Sequence, residues 1–350
     1  MRQQHLTRVG LCSLTLLLGT GLAACSSSPS SGGGTSAPTL APVSVALDFI
    51  PNADNEGVFV AEKLGYFKDE GLDVTVIPYG ETPPDTLVAT GKVNFAIAAT
   101  EADALFDFSS GDQVRSVFAV LQHDPNYYGF LASRKDITSP KSFCNMTYGG
   151  FGYASDPPVI HEMIHNAGGS LTCPVKIVTL GSSAYQAVDS GKVDFSDFFF
   201  SDIIQAEVQE HAHLKWFRPT NYGEPDQYAA LFLGNDAWLS GHPTQAGEFV
   251  KAIQRAYEYI LKNPTQGAQI EADLNPSAVD LPAAIESSQA MAKQFLLSPT
   301  GMVGVQTAAM WDGYGSFLYK AGVLTDSAGH KLSSEPNWAS YFTNQYLAPG

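Results

Sequence analysis

The chain has 350 residues, with 19 Lys plus Arg against 35 Asp plus Glu and a formal net charge of −16. A surface of that sign repels nucleic acid and anionic lipid, which excludes both as partners of the folded part. The length is enough for two domains of ordinary size.

Residues 1–24 read as a signal peptide: Arg2 and Arg8 make a basic start, residues 11–18 an apolar run, and small residues follow. The segment ends "GLAAC", the form of a bacterial lipobox, which makes Cys25 a lipid acceptor and predicts a protein tethered outside the cytoplasmic membrane. An ordinary signal peptide followed by a chance cysteine is the alternative. Residues 25–42 are Ser, Gly, Pro and Thr without apolar periodicity, the composition of a flexible leash. No other stretch is apolar and long enough to cross a bilayer.

Removing Arg2 and Arg8 leaves 17 basic against 35 acidic residues, a balance of −18. Only Arg115, Arg134, Arg218 and Arg255 remain, few guanidinium groups to clamp a strongly anionic ligand. Cys12 leaves with the leader and Cys25 takes lipid. Cys144 and Cys173 are left as a pair in an oxidising compartment, where a disulfide is the default and two buried thiols the alternative.

From residue 43 strand and helix signals alternate. "VSVALDFI" (43–50) reads as a strand, "NEGVFVAEKLGYF" (55–67) as a helix, and "LDVTVIPY" (72–79) as a strand of period two. "PDTLVATGK" then reads as a helix and "VNFAIAA" (93–99) as a buried strand. Alternation of this kind predicts an α/β fold with a mostly parallel sheet covered by helices on both faces.

An internal echo follows: "LVATGKVNFAIAATEAD" (87–103) and "AVDSGKVDFSDFFFSDI" (187–203) both run helix end, Gly-Lys turn, strand, acidic residue. Gly91 and Gly191 suit the left-handed position that closes a helix. Two copies predict two similar lobes rather than a tandem array. The expected division is 43–133 plus 230–350 for lobe 1 and 134–229 for lobe 2.

"HEMIHNAGGSL" (161–171) spells His-Glu-x-x-His, the helical zinc signature of metallopeptidases. On a helical wheel Val159, Ile160, Met163, Ile164 and Ala167 share one face, and His161 and His165 lie opposite it. Pro157 and Pro158 open this helix and Gly168 closes it. A zinc site needs a third protein ligand, and the longer pattern has Leu171 where its last histidine belongs. A surface helix is therefore preferred over a peptidase built on His161, Glu162 and His165, and no metal or other cofactor is expected.

At "LDFIPNADNEGVFVAEKLGYFKDEGLDVTVI" the chain resembles the substrate-binding proteins of ABC importers in the thiamine-pyrimidine family. These are related to nitrate- and sulfonate-binding proteins and to the fungal hydroxymethylpyrimidine phosphate synthases. "GKVNFAIAATEADAL", "YGGFGYASDPPVI", "SGKVDFSDFFF", "PDQYAALFLGNDAWL" and "MWDGYGSFLYKAGVL" continue the resemblance in order across the chain. It implies a type II periplasmic-binding-protein fold, two lobes joined by a two-segment hinge. It also implies a monomer without covalent chemistry that delivers a small molecule to a membrane permease and its ATPase.

Ligands of such sheets bind beyond the carboxyl ends of strands. Expected ligand contacts are Asp48, Phe49, Asn52 and Asn55 after the first strand, Thr100 and Glu101 after another, and Tyr127 near a crossover. In the second lobe they are Gly150, Phe151 and Gly152 in the glycine-rich turn, then Phe200 and Asp202, with Tyr228 at the return crossing. Capping and packing roles compete for many of these, Asp48, Glu101 and the tyrosines in particular. Of the three consecutive phenylalanines, Phe200 is preferred to Phe199 as the ligand contact.

Two departures from the resemblance stand out. Asn55 occupies a position where the pyrimidine-binding relatives commonly carry histidine, and Ser201, Asp202 and Ile203 replace a Gly-Trp-Glu-like segment. The sacrificial histidine and cysteine-rich motif of the synthases are both missing. The expected ligand is a neutral or cationic aromatic heterocycle, pyrimidine- or flavin-like, with sulfonate or nitrate as the alternative.

Overall fold

The computed structural model describes residues 39–209, 211 and 213–349. The signal peptide, Cys25 and most of the leash lie outside them. Among the described residues, no helix is long and apolar enough to cross a membrane.

Among the described residues ten strands form the frame: β1 (Ala41–Ala46), β2 (Leu72–Ile77), β3 (Phe95–Thr100), β4 (Val114–Leu121), β5 (Asn126–Leu131), β6 (Thr147–Gly150), β7 (Lys176–Thr179), β8 (Ser196–Phe199), β9 (Leu214–Phe217) and β10 (Ala229–Asn235). A five-stranded sheet has the order β2-β1-β3-β10-β4. Here β1 is parallel to β2 and β3, and β10 is antiparallel to β3 and β4. Four of its five strands therefore run the same way, as expected of a mostly parallel sheet; β10 is the exception, because it returns from the other sheet and runs against both neighbours.

The second region holds the sheet β8-β5-β9, antiparallel throughout, and the parallel pair β6-β7. A bridge between Tyr148 and Phe195 joins the two. The chain leaves the first sheet after Leu121 and re-enters it at Ala229. The expected change of lobe at 133 falls beyond β5, because Tyr128 and Phe130 alternate into the core of the second region.

Both faces of the five-stranded sheet are buried. Phe95 and Ile97 of β3 point into one cluster, where Phe95 stacks on Phe249 with ring centroids 4.1 Å apart. Ala96 and Ala98 face the other, with Trp311, Tyr314 and Leu318 of the helix Ala308–Ala321. Each large side chain fully buried here stabilises the fold by about 1.5–3 kcal/mol.

In the second region Phe143 and Phe195 stack at 3.8 Å over Ile160, Met163 and Ile164 of the helix Asp156–Asn166. The opposite face of that helix carries the His-Glu-x-x-His pattern. His161 contacts the Cys173 carbonyl through Nε2 at 3.1 Å, Glu162 accepts from Asn166, and His165 is exposed. Gly168, at φ 83°, ends the helix as expected. Among the described residues no group of three or more His, Cys, Asp or Glu side chains is placed to hold a metal ion. Cys144 and Cys173 are joined by a disulfide, Cα atoms 5.6 Å apart.

Two segments connect the regions, residues 122–125 and 218–228, and they are tied to each other. Asp226 accepts from the Asp124 amide at 2.8 Å and pairs with His123 at 2.7 Å. Gln227 donates to the Asp124 carboxylate at 3.3 Å, and Arg218 to the Asp124 carbonyl at 3.0 Å.

Candidate functional site

A cavity of about 130 Å³ lies where the carboxyl ends of β1 and β3 face β5, β8 and the turn after β6. At roughly 10–15 Å³ for each water-sized occupant, it holds on the order of ten waters, the scale of one substituted ring. Asp48, Phe49, Asn52, Asp54 and Thr100 come from the first sheet's loops. Tyr128, Phe151, Tyr153, Asp156, Tyr185, Asp197, Phe199 and Asp202 come from the second region. Glu224 and Gln227 enter from the returning crossover, and Tyr314 from the helix Ala308–Ala321.

Local chemistry explains how these side chains are held. The loop after β1 closes through Asn52, whose side chain accepts from the Asp54 amide at 2.8 Å, while its own amide donates to Asn55 at 3.2 Å. This capping exchange fixes Asp54 against the cavity wall. In the second region Asp202 accepts from the Phe199 amide at 3.0 Å and the Tyr185 hydroxyl at 2.7 Å. Phe151 lies against Tyr153 and Tyr185, with centroids 5.8 and 6.0 Å away. Phe49 meets Tyr79 at 5.6 Å. Eight aromatic rings line the cavity, enough to enclose a flat ligand on more than one side.

Six carboxyl groups line it too: Asp48, Asp54, Asp156, Asp197, Asp202 and Glu224, with no Lys, Arg or His among the lining residues. Burial dominates their titration. It pushes Asp48 and Asp202 up to about 6 and Asp156 up to about 8. Asp54 and Glu224 are also held well above the usual carboxylate range by burial and then by neighbouring acids. Neutral groups satisfy part of the set: Tyr148 donates to Asp197 at 2.6 Å and Tyr314 to Glu224 at 3.0 Å. One oxygen each of Asp54, Asp156 and Glu224 is buried without a hydrogen-bond partner.

Of the expected contacts, the fold gathers Asp48, Phe49, Asn52, Thr100, Phe151 and Asp202 at the cavity. The others serve the frame. Asn55 is fully buried, donating to Asp48 at 3.4 Å. Glu101 turns back to the returning crossover, where it accepts from the Tyr228 amide at 2.9 Å; the Tyr228 hydroxyl in turn accepts from the Thr307 amide, also at 2.9 Å. Gly150 leaves no room for a side chain beside Tyr148, and Gly152 takes a left-handed turn, φ 91°, against Thr179.

Tyr127 packs edge-on against Trp216 at 4.7 Å, and it is Tyr128 that lines the cavity. Phe200 stacks on Phe295 at 4.7 Å, and it is Phe199 that lines the cavity. The first is a matter of strand parity within β5; the second arises because β8 ends at Phe199 and Phe200 already opens the helix Phe200–Val208. Asp197 was findable, since period two puts it on the same face as Phe199. Glu224 and Tyr314 carry no local signal; only the fold brings them here.

Residues 52–267 match the family model described as NMT1/THI5 like. The chain belongs to this family. It is 27% identical over 284 residues to the formylaminopyrimidine-binding protein of Halalkalibacterium halodurans, spanning 80% of this chain and 85% of that protein. To a 4-amino-5-hydroxymethyl-2-methylpyrimidine phosphate synthase of Saccharomyces cerevisiae it is 24% identical, over 67% of this chain and 71% of that one. The periplasmic aliphatic sulphonate binding protein SsuA of Escherichia coli superposes with a TM-score of 0.66 at 10% identity, over 88% of this chain and 94% of that one. The fold is accordingly the two-lobed α/β fold of periplasmic binding proteins, and the cavity lies between its lobes.

Proposed function

We propose that this family member is the solute-binding lipoprotein of an ABC importer, tethered outside the cytoplasmic membrane through Cys25. It captures a small aromatic heterocycle of the pyrimidine type and offers it, as a monomer, to a permease with its ATPase. The carrying observation is one interlobe cavity that combines eight aromatic rings with six carboxyl groups and no cationic side chain. Ring faces supply stacking area, and carboxyl oxygens accept from ring and amino N–H groups. The two tied crossovers are the hinge about which the lobes close. A site with this lining is matched poorly to sulfonate or nitrate, and its volume favours one ring over a flavin.

A thermal-shift and native-mass screen with aminopyrimidines, purines, flavins and alkanesulfonates tests this, since a bound ligand raises the melting temperature by mass action. Aminopyrimidines are expected to give the largest shift. A shift by sulfonates alone would overturn the reading. The synthase activity named for the yeast relative is the second reading. Against it, Asn55 stands where the resemblance places the reactive histidine, and its amide group is spent inside the loop on Asn52 and Asp48. Formation of a pyrimidine phosphate by the purified protein would favour that reading instead.

A further inference from the structure

We infer that the ligand is a cation: a ring compound with a positively charged nitrogen, seated between the carboxylates of Asp54, Asp156 and Glu224 and the surrounding tyrosine and phenylalanine faces. This deepens the proposed function and rests on its assignment of the cavity as the ligand site.

Three observations beyond the acidic lining carry it. Asp54, Asp156 and Glu224 are 1%, 4% and 5% exposed, and each presents a carboxyl oxygen with no donor. A buried acceptor left unpaired costs about 1–3 kcal/mol, and more when charged. Among the described residues unpaired oxygens also occur elsewhere, at Glu56, Glu101 and Glu271 for example, but these three carboxyls and the Gln227 amide oxygen line one cavity, which describes a site lacking donors. Second, they come from separate parts of the chain: the loop after β1, the start of the helix Asp156–Asn166, and the returning crossover. A charge among them would draw the lobes and the hinge together. Third, the basic groups that share a neighbouring pocket with Glu224, Arg218 and His123, have partners outside the cavity, although Arg218 Nε is itself unpaired. Arg218 donates to the Asp124 carbonyl and lies 5.2 Å from the Tyr127 ring centroid, and His123 pairs with Asp226.

Compensation must therefore come from protons in the empty protein and from the ligand in the complex. A primary ammonium brings donors and no acceptor, which suits a wall of unpaired carboxyl oxygens. Ring faces add cation–π attraction.

The test is calorimetric titration at pH 7 with three probes that differ at one substituent: 4-amino-5-aminomethyl-2-methylpyrimidine, its N-formyl derivative, and the 5-hydroxymethyl analogue. The ammonium probe is expected to bind about tenfold or more tighter than either neutral one, as for a charge-assisted contact. Glu224→Gln is expected to remove most of that preference, and Asp156→Asn to do the same from the opposite wall; circular dichroism confirms that each variant is folded. Equal or tighter binding of the neutral probes would overturn the cation inference and leave the heterocycle reading standing. If the pyrimidines fail and benzylammonium binds in preference to benzyl alcohol, the charge inference holds and the pyrimidine reading falls. If no compound of either set binds, charged or neutral, both fall.

Discussion

The two lobes contain the same turn built twice, and the two copies do different work. In each, a short helix closes on a left-handed glycine, Gly91 at φ 70° and Gly191 at φ 68°. The next amide then reaches back to close the turn: Lys92 to Leu87 at 2.9 Å, Lys192 to Ala187 at 2.8 Å. A strand follows, then an acid three residues after its last residue. Asp103 accepts from the Thr100 amide and Asp202 from the Phe199 amide, both at 3.0 Å. The frames coincide; the side chains at the strand ends do not. Lobe 1 puts Thr100 at the cavity and sends Glu101 to the hinge, while lobe 2 puts Phe199 at the cavity and sends Phe200 into the core. Repetition fixes where a site sits, and single substitutions in the repeat decide what it binds.

The sharpest way to break that comparison is at the two neighbouring phenylalanines. Phe200 is buried against Phe295, so Phe200→Ala is expected to cost about 3–5 kcal/mol in denaturant unfolding. Phe199→Ala removes a half-buried cavity ring instead; its expected signature is weaker ligand binding with much less lost stability. The reverse pattern would mean that the cavity assignment of β8 is wrong by one residue.

Next in size is the acidic wall of lobe 2. Asp156 is held near 8 chiefly by burial and then by Asp197, with Asp103 adding repulsion and Tyr148 and the Tyr153 amide opposing it. A carboxyl whose folded pKa is raised binds more protons in the native state than in the unfolded one. Between its ordinary value near 3.8 and about 8, stability contributed by this group therefore falls as pH rises. Asp156→Asn places an amide donor beside Asp197 and removes an unpaired oxygen. The empty variant is expected to be more stable than the parent at pH 8, by on the order of 1–3 kcal/mol, with the gap narrowing toward pH 4. Thermal melts across that range check it, and an unchanged or less stable variant at pH 8 would contradict it.

A smaller effect tests the shared frame. Alanine at Gly91 or Gly191 meets no steric obstacle that would distinguish the lobes, and both positions need a left-handed backbone. Each substitution is expected to cost about 1–2 kcal/mol, with closely similar losses in the two lobes. A large difference would show that the turns are equivalent only in outline.

These comparisons also show what could be read from sequence. The paired Gly-Lys turns, the helix that hides the zinc-like pattern, and the loop after β1 were legible because each is local: a glycine, a pair of prolines, an apolar stripe. The site was legible in position and half legible in membership. Asp48, Asn52 and Thr100 follow directly from the ends of strands. Tyr127 and Phe200 were misassigned because aromatic residues run consecutively there, and alternation cannot choose a face when both neighbours are apolar. Glu101 looked like a cavity acid and became a hinge acceptor because Tyr228, far away in sequence, brings an unpaired amide to it.

The smallest expected effect concerns what joins the lobes. His123 on the outgoing crossover pairs with Asp226 on the returning one, and this hydrogen bond is the main cause raising its pKa. Since the folded value is raised, the pair's stabilisation is complete below the ordinary histidine value near 6.5 and is lost as pH rises through the folded value. Both side chains are about 40% exposed, so solvent screening limits the pair to roughly 0–1 kcal/mol. His123→Ala is expected to lower stability by about 0.5 kcal/mol at pH 5.5 and by nearly nothing at pH 8.5. The Asp226–Asp124 and Gln227–Asp124 contacts survive the change, so the crossovers stay tied. An equal loss at both pH values would show that the imidazole acts by packing, and that the hinge is held without its charge.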